Sequence, residues 1–134
     1  MRYTARVLTR VEATRLFDRR RAAWLGEDGD AYLACFADDL VFGSPVHDPP
    51  LVGKAAFAAL VRQSSAVMRP VAFDVHALAV QGDVVLAEWT IVTEVRADGR
   101  RVCWRGMSVA TYRDGRIATW REYWNPADLT TTTS

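Results

Sequence analysis

Four long stretches rich in strand-forming residues, Val71 to Val80, Val84 to Val95, Arg101 to Arg113 and Ile117 to Asn125, follow one another along the chain. Only Gln81-Gly82-Asp83, Ala97-Asp98-Gly99 and Asp114-Gly115 separate them. Connections that short force each strand back beside its predecessor, so the second half of the chain reads as a four-stranded antiparallel meander. The strands exceed the usual length of about five or six residues, which implies a strongly twisted sheet that curves around something.

The last strand hints at what is enclosed. Side chains alternate along a strand, so Trp120, Glu122 and Trp124 share one face while Thr119, Arg121 and Tyr123 take the other. A solvent face is seldom dressed in tryptophan, and a core seldom admits an unpaired glutamate. Two readings follow: a ligand cavity lined by this strand, or a glutamate paired with an arginine at the sheet surface.

Upstream, the patterning is helical. Thr9-Arg10-Val11-Glu12 has the form of a capping box, and Ala13, Leu16, Phe17, Ala23 and Trp24 recur at helical spacing from Arg10 to Leu25, which leaves the arginines outside. The cluster Arg19-Arg20-Arg21 accordingly reads as a solvated face. Asp30 caps a second helix, Ala31 to Ala37, and Asp38-Asp39 turns the chain into a short strand, Leu40 to Ser44. The prolines at 45, 49 and 50 keep Ser44 to Gly53 out of regular structure. A third helix runs from Gly53-Lys54 to about Met68, with Pro70 ending it.

The 134 residues suit a single domain, and half of them are apolar with a quarter charged, as in an ordinary soluble protein. Seventeen basic against sixteen acidic side chains remove the electrostatic case for a nucleic-acid or membrane partner. No apolar run is long enough to span a bilayer and residues 1 to 10 lack a signal-peptide core, so a cytoplasmic location is expected. Cys35 and Cys103 are isolated, the only histidines are His47 and His76, and no metal-ligand spacing occurs; the expectation is free thiols, no metal and no cofactor. The threonine-rich end, residues 129–134, reads as disordered.

Gly29-Asp30, Cys35-Phe36-Ala37-Asp38-Asp39, Pro49-Pro50-Leu51-Val52-Gly53-Lys54, Asp114-Gly115-Arg116-Ile117 and Trp120-Arg121-Glu122-Tyr123-Trp124-Asn125-Pro126 carry a resemblance from about Arg15 to Leu129. In this order they resemble the ketosteroid-isomerase-like, or nuclear-transport-factor-2-like, superfamily, especially its SnoaL-like polyketide cyclase and limonene epoxide hydrolase branches. The resemblance implies an α+β cone in which three N-terminal helices and a curved antiparallel sheet enclose a pocket, with a homodimer at the open sheet face. Because that fold hosts isomerases, cyclases, hydrolases and binders, function has to be argued from the site.

Ketosteroid isomerases place their base just before the proline that falls at Pro45, where this chain has Ser44, and their acidic oxyanion donor falls near Ser108. The Arg-x-Asp pair of the epoxide hydrolases falls on Trp89 and Ile91, and a lone carboxylate cannot both activate water and protonate a departing oxygen. SnoaL-like cyclases put a carboxylic acid on the final strand, and Glu122 is the position at which every catalytic branch agrees with this chain.

The expected chemistry is therefore a cofactor-independent acid/base step (cyclisation, isomerisation or dehydration) on a hydrophobic oxygenated small molecule such as a polyketide or terpenoid intermediate. Glu122 is the candidate acid/base, with His47 in the proline loop as a second proton carrier. Trp89, Trp104, Trp120 and Trp124 would line the cavity or fill the core, and Ser44, Ser108 and Tyr32 are candidate hydrogen-bond donors to substrate. Gly106, bare in mid-strand, makes room for a ligand or marks a bulge. The alternatives are a protein that sequesters such a molecule and an epoxide hydrolase with a rearranged polar set.

Overall fold

The computed structural model describes residues 7–130 and 132–133. The elements run α1 (Arg10–Leu25), α2 (Gly29–Leu33), β1 (Phe36–Ser44), β2 (His47–Val52), α3 (Lys54–Val67), β3 (Met68–Gln81), β4 (Val84–Val95), β5 (Arg101–Arg113), β6 (Arg116–Trp124), a 3-10 turn (Pro126–Thr130) and β7 (Thr132–Thr133). The chain is α+β, and its curved, unclosed sheet has the order β2-β1-β6-β5-β4-β3, with β7 added beside β5. β1 lies parallel to β6; β3 to β6 form the antiparallel meander.

Local chemistry sets the ends of these elements. Thr9 accepts the Glu12 amide at 3.0 Å while the Glu12 carboxylate accepts the Thr9 amide at 3.2 Å, the reciprocal cap that starts α1. Asp114 and Gly115 both have positive φ, 53° and 75°, as a two-residue hairpin turn requires, and Arg113 pairs directly with Arg116 across it.

Three boundaries differ from expectation. α2 is one short turn, because Phe36 and Ala37 extend β1 and bury themselves against β6; the Ile117 amide donates to the Cys35 carbonyl at 2.9 Å. Phe36, Leu40 and Ile117 have no exposed surface at all, so burial beside β6 outweighs helix propensity there. The proline segment is not wholly irregular: His47–Val52 is an edge strand on β1, with a cis Asp48–Pro49 bond. An edge strand tolerates proline because its outward amides need no ladder partner. Pro70 likewise sits within the edge strand β3, two residues after α3 has already ended at Met68.

At the C-terminus, Leu129 and Thr130 belong to the 3-10 turn and Thr132–Thr133 pair with Arg101–Val102, while Thr131 and Ser134 lie outside the described residues. No described helix is long and apolar enough to cross a membrane.

Two apolar clusters form between helices and sheet. One centres on Phe36, Leu40, Phe57, Ile117 and Trp120, the other on Phe17, Phe73, Trp89 and Ile91. Gly106 is no bulge, since the register from Trp89 to Gly106 to Trp124 is unbroken. A Cβ there would collide with the Tyr123 carbonyl oxygen, lie 2.9 Å from Trp124 Cβ and lie 3.1 Å from the Trp89 ring. The bare position is used for close packing and not as ligand space.

Candidate active site

β6 turns Trp120 and Glu122 toward the helices, and the β5 residues across from them, Ala110 and Ser108, are both buried. Trp124 Nε1 donates to the Glu122 carboxylate at 3.3 Å. Burial in this aromatic surrounding pushes the Glu122 carboxyl up to about 7; the Arg20 charge and the Trp124 hydrogen bond oppose the rise without cancelling it. A carboxyl with that value exchanges protons near neutral pH, as an acid/base catalyst needs.

Arg20 is the residue that sequence reasoning missed. Only 3% of it is exposed, so it is no part of a solvated face, although Arg19 beside it is exposed. On a helix, position 20 falls three residues after Phe17 and three before Ala23, in the middle of the stripe that faces the sheet. A cation in an otherwise apolar stripe was the available signal. Its guanidinium lies 4.7 Å from the ring centres of both Phe17 and Trp120 and 5.9 Å from Phe73, so aromatic faces replace much of its hydration. Its charge also acts on the Tyr32 and Tyr112 phenols, opposing a rise in their pKa values. Burial nevertheless raises both phenols, so each stays protonated at neutral pH.

Glu122, Arg20 and Tyr32 meet in the wall of a cavity of about 160 Å³, otherwise lined mainly by aromatic and aliphatic side chains including Phe42, Phe57, Trp104 and Trp120. A second chamber of about 240 Å³ adjoins it and reaches the surface between the end of α1 and the end of α3. At its rim Arg96 pairs with Glu27, and its Nε donates to the Ser65 carbonyl at 2.8 Å, tying the two helix ends to the β4–β5 hairpin.

The sequence candidates divide accordingly. Glu122, Trp104, Trp120 and Tyr32 come together around the cavity. Trp124 flanks it through its bond to Glu122. Trp89 and Ser108 lie in the core, where the indole donates to the hydroxyl at 3.3 Å, and neither lines the cavity. Ser44 and His47 hydrogen-bond each other at 2.8 Å on the β1–β2 hairpin. The His47 ring lies 5.3 Å from that of Phe42, whose side chain stands in the cavity wall, so the histidine is one ring removed from the space Glu122 faces. Burial lowers its pKa, which keeps it neutral. Among the described residues no group of three or more His, Cys, Asp or Glu side chains is placed to hold a metal ion.

This arrangement can move one proton at Glu122 and stabilise negative charge developing on a ligand oxygen through a fixed cation and a phenol. A family model described as a SnoaL-like domain matches residues 13–120. No curated protein matches in sequence. Among solved structures, the chain is similar to an LEH-like epoxide hydrolase of Mycobacterium tuberculosis, with 28% identity over 90% of this chain and 87% of that one and a TM-score of 0.77. It has the fold of a candidate polyketide cyclase of Pseudomonas putida (23% identity, 90% and 98% covered, TM-score 0.74). The same holds for an NTF2-like protein of Burkholderia xenovorans (23%, 94% and 98%, TM-score 0.73).

Proposed function

Because the chain belongs to the SnoaL-like domain family, we propose that it is a cofactor-independent acid/base enzyme acting on a hydrophobic, oxygenated small molecule of polyketide or terpenoid type. The observation that carries this reading is Glu122, its carboxyl raised to about 7, sharing an aromatic cavity with the buried Arg20.

In the proposed reaction Glu122 takes a proton from a carbon beside a carbonyl, and the carbonyl oxygen becomes an enolate held by Arg20 and the Tyr32 hydroxyl. The electron pair then has three outlets. Reprotonation by Glu122 at another carbon gives isomerisation; attack on a second carbonyl carbon, with Glu122 returning its proton to the new alkoxide, gives cyclisation; and expulsion of a β-hydroxyl, which takes the Glu122 proton and leaves as water, gives dehydration. Arg20 and Tyr32 are buried and Glu122 is half-buried among aromatic rings, which favours such a step, since charge developing there is poorly screened by water.

5-Nitrobenzisoxazole tests the base directly: removal of the C3–H proton of its isoxazole ring breaks the N–O bond and releases a coloured phenolate. Wild type should open it with a rate that rises through about pH 7, and Glu122→Gln should lower that rate on the order of 100-fold. Equal rates in the two proteins would leave a sequestering protein as the better reading. An epoxide hydrolase with a rearranged polar set is favoured by the 28% identity to the LEH-like enzyme. In that case 1-methylcyclohexene oxide would be hydrated, with Glu122 activating water and Arg20 or Tyr32 receiving the epoxide oxygen.

The proposal includes a homodimer in the cytoplasm. Met107 and Tyr123, 41% and 56% exposed and directly paired across β5 and β6, stand on the outer face of the meander, an apolar patch that a second copy would cover. Sedimentation equilibrium should give twice the 15.0 kDa chain mass, and a clean monomer at micromolar concentration would remove this part.

A further inference from the structure

The chamber beside the Glu122 cavity has a wall chemistry of its own. Trp24, Tyr32, Val61, Ser64, Ser65 and Trp104 line both spaces, so only these side chains stand between them. Taken alone, the inner space of about 160 Å³ and the outer one of about 240 Å³ each fall below the roughly 300 Å³ at which sites for drug-sized molecules begin. A ligand of that size has to occupy both.

Polar groups are distributed differently in the two spaces. The inner one holds the charged pair Arg20 and Glu122 among rings; the hydroxyl-bearing Ser64 and Ser65 border both spaces, and Thr93 lines the outer one alone. Thr93 is 3% exposed, and the acceptor found for its hydroxyl is the Met68 sulfur at 3.4 Å, a weak partner for a buried donor. The carboxylates at the rim are engaged: Glu27 pairs with Arg96, and Asp28 accepts the Ala31 amide at 3.1 Å. An anionic group would meet those two carboxylates, while a neutral hydroxyl can give to them and accept from Thr93.

We infer that the outer chamber is a second compartment of the same binding site, and that the ligand is two-part: a flat apolar half against Glu122 and a neutral, hydroxyl-bearing half in the outer chamber. This deepens the acid/base reading and rests on it only for which half reacts. Trp24 and Trp104 form the waist between the halves, which suits a ligand joined there by a narrow connection and disfavours one fused broad throughout its length.

Calorimetric titration with 4-chromanone, flavanone and 4′-hydroxyflavanone tests it, because the three share a bicyclic head and differ only in the trailing ring and its hydroxyl. Wild type should bind flavanone at least about tenfold more tightly than 4-chromanone, since the trailing ring adds buried apolar area. The hydroxyl should add about another fivefold. Thr93→Val, which keeps the shape, should abolish the gain from the hydroxyl alone. Met68→Trp, which fills the chamber, should bring flavanone down to the affinity of 4-chromanone. Equal affinity of wild type for all three compounds would overturn the compartment, as would a Thr93→Val variant that weakens all three alike. Ring opening of 5-nitrobenzisoxazole reports Glu122 independently, so loss of either result is traceable to its own claim.

Discussion

Replacing Glu122 by Gln should make the protein more stable in mild base, the reverse of what a structural ion pair would give. The carboxyl has an ordinary value of 4.5 and is held at about 7 in the folded chain. An acid whose folded value is raised favours the folded state fully below its unfolded value and loses that contribution as pH rises through the folded value. Stability is therefore complete below about pH 4.5 and declines through about pH 7. Each pH unit of displacement corresponds to about 1.36 kcal/mol, so the loss approaches about 3 kcal/mol; the opening of the carboxylate toward the cavity makes this an upper value.

Glutamine copies the shape of the protonated acid and cannot ionise. At pH 4 the variant and wild type should melt within a degree or two of each other. At pH 8.5 the variant should melt higher, by up to about 10 °C for a chain of this size. Near-UV circular dichroism at the two pH values is the assay. A variant that melts below wild type by the same margin at both would refute the argument, because Glu122 would then be a charge that Arg20 requires for folding.

Two further outcomes follow from the same geometry. Arg20→Met removes the charge that opposes the rise of the Glu122 carboxyl, so the midpoint of the pH–rate profile for 5-nitrobenzisoxazole should move above about 7; an unmoved midpoint would mean the two groups do not sense each other. Gly106→Ala sets a methyl against the Tyr123 carbonyl and Trp124, and should cost about 2 kcal/mol or more in denaturant unfolding while displacing the indole bonded to Glu122; an unchanged unfolding midpoint would refute the close packing.

Much of the architecture was legible because it rests on local periodicity. α1, β4 and β5 occupy the spans their patterns indicated, and the Asp114-Gly115 turn has the positive φ values that this dipeptide accommodates. What local pattern missed depended on partners distant in sequence. Phe36 looks helical beside Tyr32 and Leu33, and only the approach of Ile117 makes it a strand. The prolines at 49 and 50 disfavour a central strand but not an edge one, and β2 is the edge beside β1.

The candidate site shows the same division. Alternation on β6 put Trp120 and Glu122 on one face, as found, yet could not distinguish Trp104, in the cavity wall, from Trp89, in the core. Both follow the inward alternation, and helix packing decides between them. Arg20 was hidden by its neighbours: among three consecutive arginines, the one on the apolar stripe is told apart only by its angle around the helix axis.

The position of Arg20 also bears on how the site comes into being. Its charge is fixed on the first helix while Glu122 lies on the last long strand, so the two meet only after nearly the whole chain has closed on itself. The meander from β3 to β6 is held by its own ladder and does not need α1 for its register. A local opening that lifts α1 away would thus leave the sheet largely intact while dismantling the charge arrangement and admitting water to the aromatic wall. The proposed proton transfer would in this sense report on the docking of one helix, and be more sensitive to its partial undocking than any measure of sheet content.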